Sequence, residues 1–93
     1  MTPLQALFSD VLASLERGEV VSYGEVARRA SRPGAGRAVG AFLAHHGRGL
    51  PWWRVVRSDG RLADHKVREQ SRLLRAEGVE VVDGRVLHAL PPA

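Results

Sequence analysis

Cysteine is absent from this chain. That excludes disulfides, thiolate nucleophiles and cysteine-ligated zinc or iron–sulfur centres. Lysine is nearly absent too, with Lys66 alone beside thirteen arginines. No apolar run approaches the roughly 18–20 residues of a membrane span. No basic segment precedes the first apolar stretch, and Asp10 interrupts it, so neither a secretion signal nor a membrane partner is expected and the expected location is the cytoplasm. What is present is 93 residues, 44% hydrophobic and 26% charged. Such a chain suits one small core, so residues 1–93 are expected to form a single domain with no room for a second, catalytic one. No repeat, low-complexity tract or linker divides it.

The net charge of +4 is unevenly spread. Between Arg28 and Arg75 twelve basic residues face three acids, whereas the flanks hold Arg17 and Arg85 against seven acids. A basic middle between acidic flanks is a face for a polyanion, most simply nucleic acid. An arginine-rich solvated surface is the plainer alternative, and charge alone does not separate the two.

Leu4, Leu7, Phe8, Val11, Leu12 and Leu15 recur at helical spacing. Thr2 can cap that helix, with Pro3 at its first position, Gln5 completing a capping box and Gly18 ending it. Glu19 to Ser22 reads as extended. Ser22 and Glu25 form a second capping-box pattern, opening a helix that turns Val26, Ala27 and Ala30 inward. A turn at Ser31-Arg32-Pro33-Gly34 leads to a third helix, about Ala35 to His46, and the pair resembles a helix-turn-helix. Trp52 to Val56 follows a Gly-Arg-Gly loop and is expected to be extended. A fourth helix, about Lys66 to Ala76, sets Val67, Gln70, Leu73 and Leu74 inward and stops at Gly78. Val79 to Leu87 reads as a hairpin around Asp83-Gly84, and the tail from Pro91 as frayed. The expected fold class is mainly α with short β elements, a winged-helix-like helix-turn-helix DNA-binding domain.

The third helix is the informative element. At 100° per residue, Ala35, Val39, Phe42, Leu43 and His46 share the core side. Arg37, Gly40, Ala41 and Ala44 share the other. A solvent face normally carries several long polar residues, and this one carries a single arginine among small residues. Close packing on another helix would explain it. Within a basic helix-turn-helix, a smooth face with one long cation suits the DNA minor groove, where an inserted side chain holds a base step open. The face has few donors for major-groove readout.

Val20-Val21-Ser22-Tyr23-Gly24-Glu25-Val26-Ala27, Pro33, Gly36-Arg37-Ala38-Val39-Gly40, Pro51-Trp52-Trp53-Arg54-Val55-Val56 and Leu73-Leu74-Arg75-Ala76-Glu77-Gly78 together resemble the DNA-binding domain of O6-alkylguanine-DNA alkyltransferases. The resemblance runs in order along nearly the whole chain. In that family a Pro-Cys-His-Arg-Val segment carries the alkyl-accepting cysteine. Here Trp52 stands at the cysteine position, which marks the alkyltransferase-like proteins; these bind alkylated guanine, transfer nothing and pass the lesion to nucleotide excision repair. They commonly keep the histidine, and this chain has Trp53 instead.

The resemblance implies a DNA contact set of Tyr23, which crowds a phosphate and helps rotate the nucleotide, Arg37, which fills the vacated stack, and the small residues Ala38, Gly40 and Ala41 against the minor groove. It implies a lesion pocket at Trp52, Arg54 and Val55, with Arg68 drawn from the 61–68 segment, where Arg61 and Lys66 are also available. Glu77 matches the glutamate of a buried hydrogen-bond network, and His46 stands at a hinge asparagine position. The implied partners are double-stranded DNA containing O6-alkylguanine and nucleotide excision repair proteins, with the chain itself a nucleoid-associated monomer.

Other chemistry finds little support. His45, His46, His65 and His88 lack metal spacing, no cofactor motif is present, and Ser22 is better explained as a cap than as a nucleophile. No catalytic residue is expected. Two alternatives stay open: a helix-turn-helix regulator without lesion specificity, and a residual enzyme using Asp59, Asp64 or His65.

Overall fold

Thr2 opens the first helix in the way its sequence predicts. Its hydroxyl accepts from the Gln5 N–H at 3.1 Å while the Gln5 side chain accepts from the Thr2 N–H at 3.0 Å, and α1 runs Pro3–Ala13. In this computed structural model, which describes residues 1–87 and 90–91, α1 stops well before Gly18. The Ser14 hydroxyl donates to the Val11 carbonyl at 2.6 Å and closes the helix early. Gly18 serves a later turn at φ 82°. His88 and the expected frayed end at Pro92 and Ala93 lie outside the described residues.

Ser22 caps α2 (Tyr23–Arg29), accepting from the Glu25 N–H at 3.0 Å. Only half of the predicted box forms. The Glu25 carboxylate accepts from Arg28 and Arg29, each at 2.7 Å, because charged donors one turn on outcompete a neutral amide. The turn to α3 (Gly36–His46) passes through Ser31 at φ 62° and Gly34 at φ 86°. The two helices come together at paired glycines: a Cβ on Gly36 would lie 3.4 Å from the Gly24 nitrogen. Together they form the expected helix-turn-helix. His46, expected on the core side, is exposed, and its ring stacks on Phe42 at 5.2 Å at the end of the helix, where the core runs out.

Two cores meet at a short strand pair. β1 (Val21–Ser22) and β2 (Val55–Val56) are parallel, with Val21 opposite Val55 and Ser22 opposite Val56. Alternation along the strands sends Val21 and Val55 into a core with Phe8, Leu12, Val26, Val39 and Phe42. It sends Val20 and Val56 into a second core with Leu62, Leu74, Val79, Val81 and Val86. Burial on both faces explains the all-valine composition of the pairing residues other than Ser22.

α4 (Val67–Ala76) packs on the second core through Leu74 and buries Gln70 completely. The Gln70 amide donates to the carbonyls of Trp53 and Val55 at 3.1 and 3.0 Å, and its oxygen accepts from the Ala63 N–H at 2.9 Å. A buried amide with its groups satisfied ties the tryptophan segment, β2 and the loop before α4 to one helix face. Beyond Gly78, β3 (Val81–Val82) and β4 (Arg85–Val86) form the expected antiparallel hairpin. Asp83 and Gly84 both have positive φ, as its tight turn requires. The fold is mainly helical with short strands.

Candidate nucleic-acid interface

The outer face of α3 is as smooth as its composition implies. Arg37, Ala38, Ala41 and Ala44 are exposed and Gly40 is half-buried, while Val39 and Phe42 anchor the opposite side. Arg37 stands in the first turn, an unfavourable place for a cation because the helix dipole is positive there. Among the described residues its guanidinium makes no hydrogen bond or ion pair within the protein.

Tyr23, the first residue of α2, stands beside this face. Its ring lies next to Gly40, where a built Cβ would be 4.0 Å from Cε1. Burial raises its phenol pKa against the smaller, opposite effect of the Arg57 charge, so the hydroxyl is neutral at pH 7. Tyr23 borders two hollows: one shared with Arg37, Arg57 and Asp64, the other with Gly40 and Trp52.

Trp52–Arg54 is a single 3-10 turn rather than an extended segment, held by the Trp52 N–H on Leu50 O at 2.7 Å and the Arg54 N–H on Pro51 O at 3.1 Å. A short-range turn leads out of the Pro51 corner before β2 begins. The two indoles meet edge to face, with planes at 88° and centroids 6.2 Å apart, and both are half-buried. Trp53 packs against the second core. Trp52 stands between two open cavities. The larger, about 600 Å³, is lined by Tyr23, Gly40, His45, Arg48, Ala63, His65, Lys66 and Glu69 among others, and the smaller, about 530 Å³, by Leu15, Arg48, Pro51, Trp53 and Arg54 among others. The Lys66 ammonium lies 4.9 Å from the Trp52 ring centroid.

Behind Trp52, Glu77 gathers the local donors. It accepts from Trp53 Nε1 at 2.8 Å, from Arg54 at 2.8–3.2 Å and from the Gly18 N–H at 2.7 Å. Burial pushes its pKa up, but the Arg54 hydrogen bond, the Gly18 amide, the Trp53 N–H and the Arg54 charge outweigh it and hold the carboxyl at about 2. Arg54 also donates to Leu15 O at 2.7 Å. Its head is therefore committed to the scaffold, and it borders only the smaller cavity.

Two sequence-based placements change. Val55 is wholly buried, because its strand position turns it into the first core, and it lines neither cavity beside Trp52. Arg68 is exposed on α4 and lines neither cavity, since the helix turns it away from Trp52. From the same segment it is Lys66 that reaches the indole, while Arg61 approaches Asp59 at 3.4 Å. Sequence reasoning did not place Arg48, His45, His65 and Glu69 beside Trp52. The available signal was the lone lysine and the Gly47-Arg48-Gly49 loop preceding the tryptophans. Among the described residues no group of three or more His, Asp or Glu could hold a metal, and no helix is long and apolar enough to cross a membrane.

Comparison with known proteins places this geometry. A family model described as 6-O-methylguanine DNA methyltransferase, DNA binding domain, matches residues 3–79. A DNA base-flipping protein of Vibrio parahaemolyticus is 39% identical over 75 residues, covering 76% of this chain and 75% of that protein. The structure of Schizosaccharomyces pombe Atl1 in complex with damaged DNA containing O6-carboxymethylguanine superposes with a TM-score of 0.81 at 28% identity, covering 98% of this chain and 91% of that one. The O6-methylguanine methyltransferase of Mycobacterium tuberculosis superposes at 0.74 with 32% identity, over 83% of this chain and 49% of that one, so this chain spans about half of the enzyme.

Proposed function

This chain belongs to the family of the 6-O-methylguanine DNA methyltransferase DNA-binding domain, and from that premise we propose that it recognises O6-alkylguanine in duplex DNA without accepting the alkyl group. A duplex hides the O6 edge, so reading it requires turning the nucleotide out of the stack, at a cost of a few kcal/mol that is lower for a damaged pair. Arg37 on the smooth face of α3 replaces the lost stacking and neutralises backbone charge. Ala38, Gly40 and Ala41 let the helix backbone approach the minor groove. Tyr23 crowds the phosphate beside the rotating nucleotide, and Trp52 offers its indole to the alkyl group.

One observation carries this proposal: Trp52, at the place of the family's cysteine, forms the wall of a cavity that also borders Tyr23 and Gly40. An indole there has no leaving proton or nucleophilic lone pair suited to displacement at carbon, so the alkyl group stays on the base. The base-flipping relative and the complex of Atl1 with alkylated DNA support damage recognition through DNA binding. A lesion held and not repaired must be passed on, and nucleotide excision repair is the proposed recipient, with the protein acting as a monomer.

The test compares binding to duplexes containing O6-methylguanine or guanine at one salt concentration, since affinity for DNA varies steeply with salt. Preferential binding to the lesion, with the methyl group still on the DNA after long incubation, is the expected result. Equal affinities, or covalent methyl label on the protein, would remove the proposal. Hand-over is checked separately by incision of the lesion duplex by reconstituted excision nuclease with and without this protein, and faster incision is expected.

A further inference from the structure

A separate hollow of about 460 Å³ borders Tyr23, Gly36, Arg37 and Gly40 on the smooth side of α3, and Trp52 does not line it. Its far wall brings in Arg57 and Asp64, the latter being the one carboxylate on the lining. Arg57 donates from Nη2 to Asp64 Oδ2 at 2.9 Å. Among the described residues this is the only hydrogen bond that either side chain makes. The guanidinium is 49% exposed and the carboxylate 80%. Such a pair contributes little to folding, and the backbone on both sides of it is fixed by other means. The Arg57 N–H donates to Arg61 O at 2.9 Å, and the Ala63 N–H donates to the Gln70 amide oxygen at 2.9 Å. Burial raises the Tyr23 phenol pKa and the Arg57 charge opposes it, so the guanidinium lies within electrostatic reach of that ring.

Resting on the function proposed above, which sets DNA against this face, we propose that Asp64 is a built-in competitor of DNA: its carboxylate occupies Arg57 until a backbone phosphate displaces it. The two anions seek the same fork of N–H donors. Asp64 engages one nitrogen of the guanidinium, whereas a phosphate can accept from two parallel N–H groups at once. Asp64, already mostly in water, turns out into solvent when the exchange occurs. Phosphate contacts position a protein on the duplex and carry no information about the base. The competitor therefore weakens the hold on damaged and undamaged DNA alike. It keeps the basic face from clinging to every duplex it meets, while the choice of lesion is left to the cavity beside Trp52.

A double-mutant series tests this. Titrations at several salt concentrations compare the wild-type protein, Asp64→Asn, Arg57→Gln, Arg57→Lys and the double variant Arg57→Gln/Asp64→Asn. Each is measured on otherwise identical duplexes carrying guanine or O6-methylguanine. Both side chains are exposed, and circular dichroism checks that every variant is folded. Asp64→Asn is expected to tighten binding to both duplexes about threefold, the size of an exposed ion pair. Arg57→Gln weakens both severalfold and lowers the salt dependence by about one counterion, which Arg57→Lys restores. In the double variant the gain from Asp64→Asn is gone. A gain that persists without Arg57 makes Asp64 a mere repelling charge and overturns the inference. So does an Asp64→Asn protein that binds no tighter, or an Arg57→Gln protein with unchanged affinity and salt dependence. The preference for O6-methylguanine over guanine is read separately from the same titrations. If it is missing while Arg57 and Asp64 remain coupled, the proposed function falls and this inference stands; if it is present and the coupling is missing, the reverse holds.

Discussion

Trp53 and Glu77 are joined by an indole N–H that donates to a carboxylate oxygen at 2.8 Å. A histidine at this position would offer an imidazole, which can also take up a proton. An indole nitrogen only donates. Trp53 therefore supplies a mechanical link, holding the turn that carries Trp52, without a group that moves protons.

Removing that donor leaves the Glu77 carboxylate short of one partner. Trp53→Phe should destabilise the fold by about 2 kcal/mol, the scale of a hydrogen bond to a charged group together with some lost packing. Trp53→His, which restores an N–H, should lose less than half as much. Urea denaturation of the three proteins measures this.

Restoring sulfur alone should not restore alkyl transfer. Trp52→Cys places a thiol beside an indole that cannot accept its proton, so only the few per cent of thiolate normal at pH 7 is present. Incubation with methyl-labelled DNA should leave the single variant unlabelled above background. The double variant Trp52→Cys/Trp53→His should accept label measurably faster.

Arg37 projects from the surface without a partner within the described protein. Arg37→Ala should leave the melting temperature the same or slightly higher, since it removes a cation from the first turn of α3, and weaken lesion binding about tenfold, with the salt dependence reduced by about one counterion. Fluorescence titrations at several salt concentrations read both quantities.

Gly40→Ala should separate stability from binding. The added methyl meets only Tyr23 Cε1 at 4.0 Å, an ordinary contact. Alanine inside a helix is favoured over glycine by about 0.5–1 kcal/mol. The melting temperature should rise while affinity for DNA falls severalfold, because the methyl stands off the groove.

Acid should unfold the protein through two carboxylates. Glu25, held chiefly by its hydrogen bond from Arg28 against the cost of burial, and Glu77 both have pKa values lowered to about 2. In the unfolded chain they protonate near 4.5. Between these values the unfolded state binds more protons, so their stabilising contribution is complete above about pH 4.5 and drains away as the pH falls toward 2. Thermal melts across that interval should show the decline, and Glu25→Gln should flatten part of it.

The helices, their order and the hairpin were legible because local rules set them. Thr2 and Gln5 cap α1, the small residues of α3 form one face, and Asp83-Gly84 suits the tight turn. Gly18 and the Ser22 box misled for a common reason: each group had a better partner than its sequence neighbours, respectively Glu77 and the two arginines. The pairing of β1 with β2 was not legible, since two-residue strands carry no periodicity and their partners lie far apart in the chain. The smooth face of α3 and the importance of Trp52 were readable from residue types. The company around Trp52 was not, because Arg48 comes from one loop and His65 and Lys66 from another, far along the chain, whose approach depends on Gln70, a buried amide that fixes three backbone groups at once.

The two rungs between Val21–Ser22 and Val55–Val56 work as a calliper. One jaw carries Tyr23 and, through the paired glycines, Arg37; the other carries Trp52. The gap between the side chain proposed to wedge the duplex and the ring proposed to receive the displaced base is thus gauged by backbone rungs rather than by adjustable loops. Exchanging residues at either jaw can alter what each one offers, while the span between them stays ruled by the valines.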